Sequence, residues 1–383
     1  MAEQPAVTHP RLHAGIVGGG HGAFIGSVHR IAAELDAQAL VVAGAMSADP
    51  QTARDSAAAW NLARSYDSYL DMARAEAARQ DGIDFVIIAT PNHLHLPMAR
   101  AFLEAGIHVV CDKPLTATLP EAEQLLQVVR QSKALFALTH NYTGYPAVRQ
   151  ARAMMRDGAI GEVRKVLVEY QQDWLMQPVE HSGNKQAVWR TDPARAGPSG
   201  CLGDIGTHAE NLLQFITGLS IRALCADLTS FVPGRRLEDD ANLLLRLEGG
   251  AKGMMVCSQV ACGEENNLAI RIYGSRAGLE WHQQEPNTLL HKPAGEPWRL
   301  LRSAHGYLDA GARSSTRTPA GHPEGYLEAF ANIYRAFIAD VLLLRAGQAP
   351  RGGYPTAQDG VRGLRFVAAA LESAKRGSHW VAL

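Results

Sequence analysis

At 383 residues the chain is too long for one small hydrophobic core, and two domains are expected. Hydrophobic residues make up 46% and charged residues 20%, proportions that exclude a disordered chain. A formal net charge of -1 leaves no basic face for nucleic acid, and no apolar run reaches the roughly 18 residues needed to span a bilayer.

Met1 to Pro10 lack the charged-then-apolar order of a signal peptide. Beyond them, short apolar runs alternate with helical stretches. Strands are predicted at Leu12 to Val17, Ala39 to Met46, Phe85 to Thr90, His108 to Cys111 and Leu135 to Thr139. Helices are predicted between them at Gly26 to Leu35, Pro50 to Trp60, Ser68 to Arg79, Leu96 to Glu104 and Leu119 to Gln131. This alternation predicts a parallel sheet with helices on both faces. Immediately after the first strand comes Gly18-Gly19-Gly20-His21-Gly22-Ala23-Phe24-Ile25-Gly26. Glycines there let the backbone approach a pyrophosphate, whose charge a helix N-terminus then meets. Gly18 and Gly20 match the first two glycines of the dinucleotide fingerprint, and the third best matches Gly26, as if two residues were inserted. Gly22, Phe24 and Ile25 belong to the same stretch and are further candidate cofactor contacts.

The second strand ends without the acid expected to grip the adenosine ribose. Ser47 stands near that place, Asp49-Pro50 reads as an N-cap and first helical position, and Arg54 is a possible phosphate partner. The choice between NAD and NADP therefore stays open. Thr90-Pro91-Asn92-His93-Leu94-His95 and Asp112-Lys113-Pro114 follow later strands, on the edge where open α/β sheets bind ligands. Thr90, Pro91, Asn92, His95 and Lys113 are candidate cofactor contacts, although Asn92 could equally cap a helix. Lys113, extended because a proline follows, points toward the crevice, where an ammonium can exchange a proton with a substrate.

His140 to Pro146 reads as the crossing into a second domain, giving a division into residues 1–140 and 141–383. A helix (Ala147 to Met155) and a strand (Val163 to Gln171) follow. Gly200-Cys201-Leu202-Gly203-Asp204-Ile205-Gly206-Thr207-His208 is a glycine-broken turn running into a helix (Ala209 to Ile216). Asp204 and His208, four apart, would share one helix face, where a carboxylate can orient an imidazole for acid–base work. Strands at Ala223 to Phe231, Ala241 to Leu247, Lys252 to Val260, Asn267 to Tyr273 and Leu279 to His282 predict an open, largely antiparallel sheet in an α+β domain. Such a broad face often packs on its copy, so a homodimer or homotetramer is expected. Ala294 to His322 reads as a long loop, and helices at Tyr326 to Arg345 and Ala357 to Arg376 close the chain. Tyr142, Tyr145, Trp174, Trp189 and Arg190 lie near the inferred crevice, where aromatic faces suit the C–H faces of a sugar. Five scattered cysteines (Cys111, Cys201, Cys225, Cys257, Cys262), never in a Cys-x-x-Cys pair, read as reduced thiols of a cytoplasmic protein, with no metal site expected.

These motifs together resemble the Gfo/Idh/MocA family of oxidoreductases. The resemblance rests on the glycine turn followed by Val28-His29, Ala89-Thr90-Pro91-Asn92-His93-Leu94-His95, Asp112-Lys113-Pro114 where the family usually has Glu-Lys-Pro, Trp189-Arg190-Thr191-Asp192-Pro193, and Gly203 to His208. It implies a Rossmann-type parallel-sheet domain followed by an α+β domain. It further implies a catalytic trio of Lys113, Asp204 and His208, NAD or NADP as cofactor, and a secondary alcohol of a sugar or cyclitol as substrate. Tyr170 to Trp174 with Trp189 looks similar to the branch containing levoglucosan dehydrogenase. Two alternatives share the fold: NAD-assisted glycosidic elimination, and a sensor without turnover.

Overall fold

The computed structural model describes residues 11–383, and the reading of Met1 to Pro10 lies outside them. Strands β1 (Leu12–Gly18), β2 (Ala39–Ala45), β3 (Arg64–Ser65), β4 (Phe85–Ala89), β5 (His108–Cys111) and β6 (Phe136–Leu138) form one parallel sheet in the order 3-2-1-4-5-6. That order places a crevice between β1 and β4, where the connections leave for opposite faces. Helices α1 (Phe24–Glu34), α2 (Pro50–Ala59), α3 (Tyr69–Ala77), α4 (His95–Glu104) and α5 (Leu119–Gln131) run between the strands. Every residue of β4 is buried, as a continuous apolar run demands of a sheet covered on both sides. Register aligns the carboxyl ends: Gly18 pairs with Ala89, and Ile88 with Cys111. The glycine turn, the Thr90 segment and Lys113 therefore emerge side by side.

The second sheet has nine strands: β7 (Val163–Gln171), β8 (Ile221–Thr229), β9 (Asp240–Leu247), β10 (Lys252–Ser258), β11 (Asn267–Gly274), β12 (Ala277–His282), β13 (Thr288–Pro293), β14 (Arg299–Arg302) and β15 (Val381–Ala382). All its neighbours are antiparallel except β7 and β10. Helix α6 (Pro146–Arg156), two short helices α7 (Lys185–Arg190) and α8 (Pro193–Ala196), and α9 (Thr207–Thr217) come before the main run of strands. Period-two alternation turns Ala241, Leu243, Leu245 and Leu247 inward, onto a core shared with Leu212, Trp281 and Phe366, and leaves Leu244 outside.

One expectation needs correcting. Ala294 to His322 is not one loop: it holds β14 and the short helix α10 (Ala310–Arg313). Four residues between charged flanks are too few to show a period, and β14 exists because it adds to the edge of β13. The boundary at 140/141 separates the sheets but not the cores. In α11 (Tyr326–Arg345), Phe330, Tyr334, Phe337 and Val341 pack with Phe85, Ile87 and Val110 of the first sheet. Ala357, Val361 and Leu364 of α12 (Ala357–Lys375) join its other face.

Candidate active site

Gly18 adopts φ 76°, and a Cβ there would meet the Ala89 carbonyl oxygen at 2.5 Å. Gly26 lies so close to Gly19 that a Cβ would sit 2.4 Å from its carbonyl oxygen. Gly26 therefore provides the helix–strand contact expected of a third fingerprint glycine, despite its displaced position. Ala23 precedes α1 and offers no side-chain cap, so the first N–H groups stay free for an anion. A pyrophosphate fits this cradle. A side chain at Gly22 would meet only the Lys185 ammonium, at 3.4 Å, so α7 of the second domain brings a cation over the turn. No spacing in the sequence announces Lys185. Phe24 is exposed beside the turn, and Ile25 is half-buried in the first turn of α1.

Ser47 accepts from the Asp49 N–H at 3.1 Å, and Asp49 caps α2 by accepting from the Thr52 N–H at 2.7 Å, as its sequence position predicts. Arg54 is engaged by Asp67 at 3.0 Å. After β4, Pro91 leads into the turn Asn92–Leu94, and buried Asn92 donates to the Ala196 carbonyl at 3.0 Å, joining the domains rather than capping a helix. Thr90 Oγ1 lies 3.6 Å from Met98 Sδ. His95 is a candidate that the structure turns away. It is fully buried, and its two ring nitrogens lie 2.9 Å from the carbonyl oxygens of Pro114 and Thr90. The ring ties together the two loops that carry Thr90 and Lys113 instead of reaching the crevice.

Lys113 extends from the carboxyl end of β5 to the second domain. Its Nζ donates to Asp204 Oδ1 at 2.8 Å and to the Asp204 carbonyl at 2.9 Å. Asp204 Oδ2 accepts from Gln259 at 3.0 Å and from Arg190 Nε at 3.2 Å. Burial alone would raise the Asp204 carboxyl; the Lys113 and Arg190 charges hold it well below the usual carboxylate range, so it is ionised. Behind Lys113, half-buried Asp112 accepts from the Lys113 N–H at 2.9 Å and from Thr139 at 3.0 Å, with His29 Nε2 3.7 Å away. Against the penalty of burial, His29 and Lys113 hold its carboxyl at about 2.

The turn Leu202–Gly206 is π-helical and leads into α9. Glu238, buried, anchors it: Oε1 accepts from Ser199 Oγ at 2.5 Å, the Gly200 N–H at 2.9 Å and the Leu202 N–H at 3.1 Å. The wider turn overturns the expected pairing of Asp204 with His208. Asp204 faces Lys113, Arg190 and Gln259, whereas His208 faces His140, with Nδ1 atoms 3.3 Å apart, and the Tyr142 ring, 4.8 Å between centroids. Burial, with Lys113 and His140 nearby, lowers His208 well below the usual imidazole range and leaves it neutral.

Tyr142 bonds Tyr170, which donates to Asn266 at 2.8 Å. Tyr145, 1% exposed, is stacked behind Tyr142 and against Trp281 in the core, so the structure does not bring it to the crevice. Trp174 donates to Gln172 at 3.1 Å, and Arg190 lies 4.2 Å over Trp189. Trp189, Arg190, Gly203, Asp204, Gln259 and Asn92 line one cavity at the domain junction. Sequence reasoning missed Gln259, Glu238 and His140. Among the described residues no cluster of His, Cys, Asp or Glu is arranged to hold a metal, and no helix is long and apolar enough to cross a membrane.

Residues 12–140 match the oxidoreductase-family model described as an NAD-binding Rossmann fold, and residues 148–280 match the GFO/IDH/MocA C-terminal domain. An uncharacterized oxidoreductase of Bacillus subtilis is 37% identical over 380 residues, 97% of this chain and 96% of its own. Levoglucosan dehydrogenase of Pseudarthrobacter phenanthrenivorans is 28% identical over 308 residues, covering 73% of this chain and 75% of its own. The crystal structure of an inositol dehydrogenase homolog of Azotobacter vinelandii, complexed with NADH and myo-inositol, has a TM-score of 0.89 and 38% identity, covering 97% of this chain and 98% of that one.

Proposed function

Since this chain belongs to the Gfo/Idh/MocA oxidoreductases and carries their NAD-binding domain, we propose that it reversibly oxidises a secondary alcohol of a sugar or cyclitol. The observation that carries this reading is the 2.8 Å contact between Lys113 and Asp204 across the domain junction, beside the neutral ring of His208. Gly18, Gly19, Gly26 and the free N–H groups of α1 would hold the pyrophosphate, with Lys185 above them. A bound nicotinamide supplies the hydride acceptor.

The chain's own groups handle the proton. Ionised Asp204 fixes the Lys113 ammonium, whose charge stabilises a developing alkoxide. His208, neutral and buried, takes the hydroxyl proton. Aromatic faces and the amides of Gln172 and Gln259 offer a polyol both stacking and hydrogen bonds. The cofactor we favour is NAD, because Arg54 is already paired with Asp67 and Ser47 offers no charge to a 2′-phosphate.

A panel of cyclitols, anhydrosugars and aldoses, offered with NAD or NADP and read at the NADH band, tests the proposal. Reduction of NAD by at least one polyol supports it. Product formed without net reduction would favour elimination instead, and no turnover or product with any member would favour a sensor.

We also propose that two copies meet through the uncovered face of the second sheet. Leu244 and Met254, paired on neighbouring strands, and Leu300 near the sheet edge are exposed apolar positions that a second copy would cover. Leu244→Asp should shift the mass in light scattering toward the monomer. A wild-type monomer would remove the idea. The free, mostly buried thiols agree with a reducing cytoplasm.

A further inference from the structure

Two buried imidazoles meet at the heart of this site. His140 follows β6, His208 lies in the first turn of α9, and their Nδ1 atoms are 3.3 Å apart with the rings 83° to each other. A nitrogen–nitrogen contact of this kind holds a single hydrogen. Two bare lone pairs would repel, and two N–H groups would collide. In a neutral imidazole the proton on one nitrogen leaves the other bare, so the hydrogen at this contact decides what the far nitrogen of each ring can do. Both rings are neutral: burial pushes His140 down to about 3 and, with Lys113, lowers His208 as well.

The surroundings are charged but balanced. Lys113 acts on both rings; Asp112 from the end of β5, with Asp359 and Arg362 from α12, acts on His140. Tyr142 and Tyr170 face His208. His208 Nε2 has no protein hydrogen-bond partner among the described residues, whereas Nδ1 is occupied by His140. A bare Nε2 is the form that can take a proton from substrate, and it requires the hydrogen of the ring-to-ring contact to sit on His208 Nδ1.

We propose that His140 is a positioning residue that accepts the Nδ1–H of His208 and so keeps His208 Nε2 bare toward the substrate. The inference rests on the dehydrogenase reading above. In alcohol oxidation the substrate O–H bond breaks, an Nε2–H bond forms, and the carbinol C–H electron pair leaves as hydride to NAD. The imidazolium formed on His208 keeps its Nδ1–H on His140, which spreads the new charge. In ketone reduction the same Nε2–H returns to the oxygen.

The test is ring-nitrogen NMR of the full-length protein labelled with [15N]histidine, with His208 assigned by its loss in His208→Gln. The expected result is a protonated Nδ1 and a bare Nε2 on His208. His140→Asn, whose amide oxygen can still accept, should keep that tautomer, and His140→Phe should lose it. Turnover should fall about tenfold to a hundredfold in His140→Phe, the size usual when the partner that orients a working histidine is removed. It should recover in His140→Asn, with the NADH dissociation constant within about twofold throughout, because His140 does not reach the glycine turn. A His208 carrying its proton on Nε2, or a His140→Phe protein with unaltered tautomer and turnover, would overturn the proposal. The NMR result needs no substrate, so it stands apart from whether the polyol panel succeeds.

Discussion

Asp204 gives both carboxylate oxygens and its backbone carbonyl to neighbours, and each neighbour comes from a different part of the chain. That is how a half-buried carboxylate stays charged: Lys113 and Arg190 compensate the desolvation, and Gln259 fills the remaining site. Histidines behave in the opposite way, since the same burial keeps His140 neutral down to about pH 3. An unfolded histidine titrates near 6.5, so between about 6.5 and 3 the unfolded chain binds a proton that the native chain does not. Stability therefore falls as pH drops through that window. Asp112, held at about 2 against an ordinary value of 3.8, adds a second loss below pH 4. The urea midpoint is expected to be lower at pH 5 than at pH 7.5, and the drop to be smaller in His140→Asn. An equal drop in both proteins would contradict the assignment of His140 as a buried neutral group.

Gly26 shows how one side chain decides the seating of a helix. A methyl group there would press on the Gly19 backbone at 2.4 to 2.5 Å, and backbone cannot step aside as a flexible side chain does. Gly26→Ala is expected to push α1 off the glycine turn and weaken NADH binding at least tenfold in a fluorescence titration, about 1.4 kcal/mol. Unchanged binding would show that the turn does not hold the cofactor. This contact was legible in the sequence because glycine has few other reasons to recur after a strand. The first sheet was legible for a related reason: buried parallel strands such as Phe85–Ala89 are unbroken apolar runs between helical periods. The turn before α9 was legible as a turn but not as a π-helix, since four-residue spacing says nothing about an inserted residue. His95 was misread because a histidine after a strand looks the same whether it faces a ligand or two carbonyls. Gln259 and Glu238 gave no signal, because each works through a contact made more than thirty residues away.

The two sheets are held in register by segments that ignore the domain boundary. Helix α11 closes the first sheet from the far end of the chain, α12 touches the cores of both, and Asn92 bonds Ala196 directly across the junction. The candidate site therefore stands on a seam shared by both sheets, where Lys113 from one side meets Asp204 from the other. Lys113→Ala tests that convergence most directly, with turnover measured on any polyol oxidised in the panel and NADH affinity measured alongside. The account predicts turnover lower by about two to four orders of magnitude, the range expected when a proton-handling or charge-stabilising group is lost, with affinity changed less than about twofold. Near-normal turnover at unchanged affinity would contradict it.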